Sequence, residues 1–163
     1  MYIEYAFNFY KNHIINKEKF QLMTKYNFTM NGCVHSSDWE LFCALLLNKN
    51  KLTHGESDLE GYEIKSAYKG NSFEYQYHKN KGEMKLENDC NTDHVFIVYD
   101  TNYRNISVYL VDKTVIKPVI EEWKKDFKLN YESGKQRYRK NISYNFVVSN
   151  STTILEIKNE ELQ

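Results

Sequence analysis

The chain has 163 residues, 22 Lys+Arg against 22 Asp+Glu, and 41% hydrophobic residues. That length suffices for a sizeable core without disulfide staples. A net charge of zero excludes nucleic-acid binding through bulk charge, so such a partner must be met by a local basic face.

The three cysteines, Cys33, Cys43 and Cys90, are odd in number and lack metal-type spacing. Cys43 sits in an apolar run and reads as packing, and a reducing cytoplasm fits best. No apolar run approaches the roughly 18 residues of a membrane span, so no membrane partner is expected. The start, Met1-Tyr2-Ile3-Glu4-Tyr5, has neither the basic opening nor the apolar centre of a signal peptide. With one proline, six glycines and no repeat or linker, a single domain over residues 1–163 is expected.

Residues 2–26 carry Ile3, Phe7, Tyr10, Ile14, Ile15, Phe20, Leu22, Met23 and Tyr26 at roughly helical spacing, which predicts one or two amphipathic helices. After a polar break at 27–34, Ser36, Ser37 or Asp38 can cap a helix through the apolar run 39–47.

Residues 56–65, Glu-Ser-Asp-Leu-Glu-Gly-Tyr-Glu-Ile-Lys, read as a tight β-hairpin with Glu60-Gly61 at its tip, where glycine accepts positive φ. Leu59 then faces Tyr62, Asp58 faces Glu63 and Glu56 faces Lys65. Side chains alternate along a strand, so Glu56, Asp58, Glu63 and Lys65 project to one side. Facing carboxylates destabilise a sheet, and a divalent cation is the simplest reason to tolerate them, because Mg²⁺ takes one or two carboxylates plus water and phosphate oxygens. The plain alternative is a solvated, salt-bridged edge. Acid-x-Lys recurs at Glu83/Lys85, Glu122/Lys124, Asp126/Lys128 and Glu156/Lys158, but only Glu63/Lys65 has a second acid across a turn.

Residues 73–80 follow as a strand that would put Glu74, Gln76, His78 and Asn80 on one face, with Tyr75 and Tyr77 on the other. Hydrogen-bonding tips backed by aromatics suit base reading, since Asn and Gln match the adenine edge; an ordinary exposed strand gives the same pattern. A short polar helix is predicted over 81–88, a buried strand over 94–99, and an alternating strand over 105–111. Asp112 or Thr114 caps a helix to about Phe127, with Pro118 tolerated only near its first turn. Residues 128–140 read as a polar loop whose Lys135, Arg137, Arg139 and Lys140 form the one dense basic cluster, suited to phosphate. Residues 142–148 and 152–157 are predicted to close the chain as a hairpin.

Taken in order, Asp58…Tyr62-Glu63-Ile64-Lys65-Ser66, the strand from Phe73, His94-Val95-Phe96-Ile97-Val98-Tyr99 and Glu122-Trp123-Lys124 resemble the PD-(D/E)xK family of Type II restriction endonucleases, over most of the chain after residue 36. The resemblance implies a mixed α/β sheet flanked by helices, with residues 1–35 as a helical dimer contact and 36–163 as the catalytic and DNA-reading core. It implies Mg²⁺ held by Asp58, Glu63 and the Ile64 carbonyl, Lys65 orienting the attacking water, and Glu56 supporting a second metal or that water. Gln76, Tyr77, His78 and Asn80 would lie in the reading segment, with Lys140 or Asn141 as a second one. Ser36, Ser37 and Asp38 would approach the minor groove, while Lys135, Arg137 and Arg139 would meet phosphates. Double-stranded DNA, a second copy of the chain and a cognate DNA methyltransferase are the implied partners.

Two departures stand out. The interval from Asp58 to Glu63 is shorter than the family's usual one, which leaves Glu56 open as the first acid. Gln76-Tyr77-His78 replaces consecutive histidines, so the recognised sequence need not be shared. A repair or junction nuclease on the same fold, and a non-catalytic DNA-binding or interaction protein, are the alternatives.

Overall fold

The computed structural model describes residues 2–52 and 57–163. A five-stranded mixed sheet in the order β1-β3-β4-β6-β7 forms its centre. Its strands are β1 (Tyr62–Tyr68), β3 (Asp93–Tyr99), β4 (Ile106–Val111), β6 (Thr152–Lys158) and β7 (Glu161–Leu162). β1 and β3 are parallel and the other pairings antiparallel. β2 (Phe73–His78) and β5 (Arg137–Ile142) form a separate antiparallel ribbon.

β3 shows why the centre is three layers deep. Val95 and Ile97 enter one core, while Phe96 and Val98 enter a second, as strand alternation requires when both faces are covered. The first core lies under α1 (Ile3–Phe9), a π-helical turn (Tyr10–Ile14) and α3 (Ser36–Leu47). The second lies under α4 (Gly82–Cys90), α5 (Lys113–Glu132) and the ribbon. Among the described residues, no helix is long and apolar enough to cross a membrane.

The first helical stretch divides into α1, the π turn and α2 (Lys17–Lys25), with the Asn16 side chain accepting from Lys19 N at the start of α2. Ala6, Tyr10 and Ile14 are buried, whereas Leu22, Tyr26 and Phe28 stay exposed. Much of the stripe read over 2–26 thus belongs to this chain's own core. The cap of α3 is His35, not Ser36, Ser37 or Asp38. His35 Nδ1 accepts from Ser37 N, and Asp38 Oδ2 accepts from His35 N at 3.2 Å.

Asp112 caps α5, accepting from Thr114 N at 2.8 Å. Pro118 lies in the second turn rather than the first, and α5 runs to Glu132. Residues 128–140 are therefore not one loop. Phe127 and Tyr131 stack edge-to-face and carry the helix onward, and Arg137–Ile142 pairs with β2. The closing hairpin is also replaced. Ser143 caps α6 (Tyr144–Ser149), accepting from Phe146 N at 3.1 Å, and β6 pairs with β4.

Side chains seat the ribbon on the helices. Tyr138 Oη donates to the Trp123 carbonyl at 2.9 Å, and Tyr131 Oη donates to the Tyr77 carbonyl. A Cβ at Gly82 would meet Phe127 Cε2 at 2.8 Å and Tyr77 Cβ at 3.0 Å, so only glycine lets α4 approach both α5 and the ribbon this closely.

Candidate active site

Among the described residues β1 is an edge strand, and Asp58 lies along its outer edge. In an extended strand the N–H and C=O of one residue point to the same side, and successive residues alternate. The Gly61 carbonyl accepts from Asp93 N at 3.2 Å, and Lys69 N donates to the Tyr99 carbonyl at 2.9 Å, so the odd-numbered residues address β3. The even-numbered ones address the open edge. There Tyr62 exchanges two 3.0 Å bonds with Leu59 across the Glu60-Gly61 turn, where Gly61 has φ +84. Ile64 N donates to Asp58 Oδ2 at 2.9 Å, which puts the Ile64 carbonyl on the same edge as Asp58. The tip of the hairpin is as expected, but its first arm is shorter, with Leu59 making only isolated bridges to Tyr62 and Lys51.

Side-chain alternation turns Glu63 and Lys65 toward α4 and Ile64 into the opposite core. Glu63 is 0% exposed, which rules out the solvated, salt-bridged edge as its setting. Its Oε1 accepts from Lys65 Nζ at 2.5 Å and from Lys85 Nζ at 2.7 Å. Its Oε2 is buried and receives no hydrogen bond among the described residues. Lys85 Nζ also donates to Asp89 Oδ1 at 3.2 Å, and Tyr77 Oη donates to Asp89 Oδ2 at 2.9 Å.

His94 lies beside this network. Its Nε2 is 2.9 Å from the Asp89 carbonyl, and its Nδ1 is 2.6 Å from Tyr75 Oη. A carbonyl only accepts, so Nε2 carries the proton and Nδ1 accepts from Tyr75. Lys65 Nζ rests 4.9 Å from the centroid of the Tyr75 ring, within cation–π range.

Opposing effects set the charges. Burial pushes the Glu63 carboxyl up, but the Lys65 and Lys85 ammoniums outweigh it and hold it down to about 2. Burial, then the charge of Glu63, raises Asp58 above the usual carboxylate range and takes Asp89 up to about 6. Burial lowers His94 to about 4. Lys85 is raised, because Glu63 and Asp89 outweigh its own desolvation. Buried acids with opposite shifts beside lysines are a common property of reactive sites, and also of structural ion-pair networks.

Asp58, Glu63, Ile64 and Lys65 are brought together, as the sequence led one to expect; Glu56 lies outside the described residues. The ribbon separates the reading residues. Glu74, Gln76 and His78 share an outer face with Arg137, Arg139 and Asn141, in the register Gln76↔Arg139, His78↔Arg137 and Glu74↔Asn141. Arg139 pairs with Glu74 at 3.6 Å. With its carbonyl oxygen turned to Arg137, Gln76 accepts from Nε at 3.1 Å and Nη1 at 3.3 Å.

Three members leave that group. Tyr77 is 1% exposed and its ring belongs to the core. Asn80 lies in the turn after β2. Lys140 has the opposite strand parity, and its Nζ reaches Asp126 at 3.0 Å and sits over the Tyr138 ring. Lys135 is exposed in the loop before β5. Ser36 and Asp38 are at the start of α3, in the layer opposite the ribbon.

Lys85 and Asp89 were not picked out from the sequence as site residues. The helix expected over 81–88 stops one residue short of Asp89, and i,i+4 pairs of this kind are usually solvent-facing, so nothing local turns this one toward β1.

For a divalent cation the donors are two carboxylates and a carbonyl, oxygen ligands of the hard type that Mg²⁺ takes. The undonated Glu63 Oε2 and the edge position of the Ile64 carbonyl fit that set. Among the described residues no group of three or more His, Cys, Asp and Glu side chains is placed to hold a metal ion. No family model matches the chain, and no curated protein matches it.

Proposed function

We propose that the chain is a Mg²⁺-dependent endodeoxyribonuclease of the restriction type, with a PD-(D/E)xK core. It would hydrolyse phosphodiester bonds at defined sites in double-stranded DNA as a cytoplasmic homodimer paired with a methyltransferase. One observation carries this reading. Asp58 and the Ile64 carbonyl share the outer edge of β1, and the same strand turns Glu63, with its undonated Oε2, and Lys65 toward α4.

Asp58, Glu63 and the Ile64 carbonyl are the groups that would hold Mg²⁺, which when bound activates water and polarises the phosphate. Lys65 keeps an ammonium on Glu63 and beside the Tyr75 ring, where it offsets negative charge developing on phosphoryl oxygens. Asp58 ties the strand edge by its bond to Ile64 N. The ribbon's outer face presents Gln76, His78 and Asn141 for base edges and Arg137 and Arg139 for phosphates, with Lys135 in the loop before β5 as a further phosphate contact.

A second reading, a DNA-binding scaffold without catalysis, draws on the double donation to Glu63 Oε1. That closed ion-pair network can hold α4 on β1 with no cation. Incubation with mixed-sequence DNA, in Mg²⁺ or in chelator, followed by sequencing of the ends, separates the readings. Discrete ends in Mg²⁺ alone are expected. Binding without cutting would favour the scaffold, and cutting confined to branched DNA would favour a junction nuclease.

A further inference from the structure

Among the described residues, Glu63 takes both its side-chain hydrogen bonds on one oxygen. Lys65 arrives at Oε1 from its own strand, and Lys85 arrives at the same oxygen from α4. A carboxylate with one donor can still rotate about its terminal bond; two donors from different elements hold it in one plane. Lys85 is itself fixed, because Asp89 Oδ1 accepts from it at 3.2 Å and Tyr77 Oη secures the other Asp89 oxygen at 2.9 Å. Glu63 and Asp89 are both fully buried, so water does not replace these bonds.

We propose that Lys85 is a positioning residue for Glu63: by sharing Oε1 with Lys65 it reserves Oε2, the oxygen without a donor, for a divalent cation. This rests on the metal-site reading of Asp58 and Glu63. Lys85 acts through Glu63 and touches neither cation nor phosphate. Its role is that of an outer partner that orients a ligating carboxylate, and losing such a partner commonly costs about 10–100-fold in metal affinity or activity.

The sign of the effect makes the proposal decidable. An ammonium this close to a ligand repels a cation, so if Lys85 acted by charge alone its removal would tighten binding. Positioning requires the opposite. Mn²⁺ binding, measured by calorimetry on the full chain without DNA, should weaken about tenfold or more in Lys85→Met. Lys85→Arg, which still donates to a carboxylate, should recover most of the loss. Because Lys85→Met leaves Asp89 buried without its cation, Lys85→Met/Asp89→Asn is measured beside it, with circular dichroism as the folding control. Weakened Mn²⁺ binding in this folded double variant supports the proposal. Equal or tighter binding in either variant overturns it, as does the absence of Mn²⁺ binding by the parent protein. A parent that binds Mn²⁺, loses it in Glu63→Gln and cuts no DNA sinks the nuclease reading alone, with Lys85 still judged by the titration.

Discussion

The Asp58 carboxylate accepts the backbone N–H of Ile64 at 2.9 Å, so one acid both closes the strand edge and stands beside the carbonyl that shares that edge. The two roles separate by substitution. Asp58→Asn keeps an oxygen for the amide and loses the charge, so cutting in Mg²⁺ should disappear while the melting temperature stays near the parent's. Asp58→Ala also loses the bond and should cost about 1–2 kcal/mol of stability. Both are checked by thermal melts and digestion of mixed-sequence DNA. Full cutting by Asp58→Asn would move the first acid to Glu56.

Reading and phosphate contact should come apart on the ribbon. Gln76→Ala or His78→Ala should cost about 1–3 kcal/mol of preference for the cognate site, with little change on random DNA. Lys135→Ala should weaken both equally and lower the salt slope by about one unit. Arg137 touches Gln76, so Arg137→Ala should show both effects. Binding is measured in Ca²⁺ over a salt series. Equal losses on cognate and random DNA for Gln76→Ala would remove the ribbon as reading head.

One chain carries one such site, so cutting both strands at one place calls for a twofold pair. Light scattering should give twice 19.6 kDa. Leu22 and Tyr26 are exposed members of the N-terminal apolar stripe and Phe28 is exposed just beyond it, and Leu22→Glu/Phe28→Glu should yield the monomer with the fold intact. A monomeric parent, free and on DNA, points to nicking.

The pH dependence of stability should reflect two groups of opposite sign. His94 is lowered from 6.5 to about 4, so its contribution is full above 6.5 and is lost as pH falls toward 4. Asp89 is raised from 3.8 to about 6, so its contribution is full below 3.8 and is lost as pH rises through 6. They oppose each other between pH 4 and 6. Denaturant titrations across that window should show Asp89→Asn losing stability on acidification more steeply than the parent, and His94→Gln less steeply. Parallel slopes in all three proteins would contradict these assignments.

Local chemistry made the Glu60-Gly61 turn, the Asp112 cap, the strand at 94–99 and the grouping of Asp58, Glu63 and Lys65 legible in the sequence. Each depends on neighbours within a few positions, where alternation and turn geometry act. What could not be read there depends on distant partners. Lys85 becomes a site residue only because the residues between β1 and β3 return α4 over β1. Residues 137–140 looked like part of a basic loop because charged Arg and Lys are weak strand formers, and pairing with β2 overrides that preference. The expected strand at 142–148 lost to Ser143, whose side chain starts a helix.

The ribbon is a sheet of its own, and its two faces answer to different constraints. Tyr75, Tyr77 and Tyr138 point into the core and tie it to His94, Asp89 and α5, so changes there disturb the fold and the candidate site together. Positions 74, 76, 78, 137, 139 and 141 point outward and hold mainly one another. If the chain cuts DNA as proposed, its descendants can acquire a new target sequence by exchanging outward residues alone, while the candidate site behind them is inherited unchanged. Under that proposal, the hazard for a host is that such drift outruns a protecting methyltransferase.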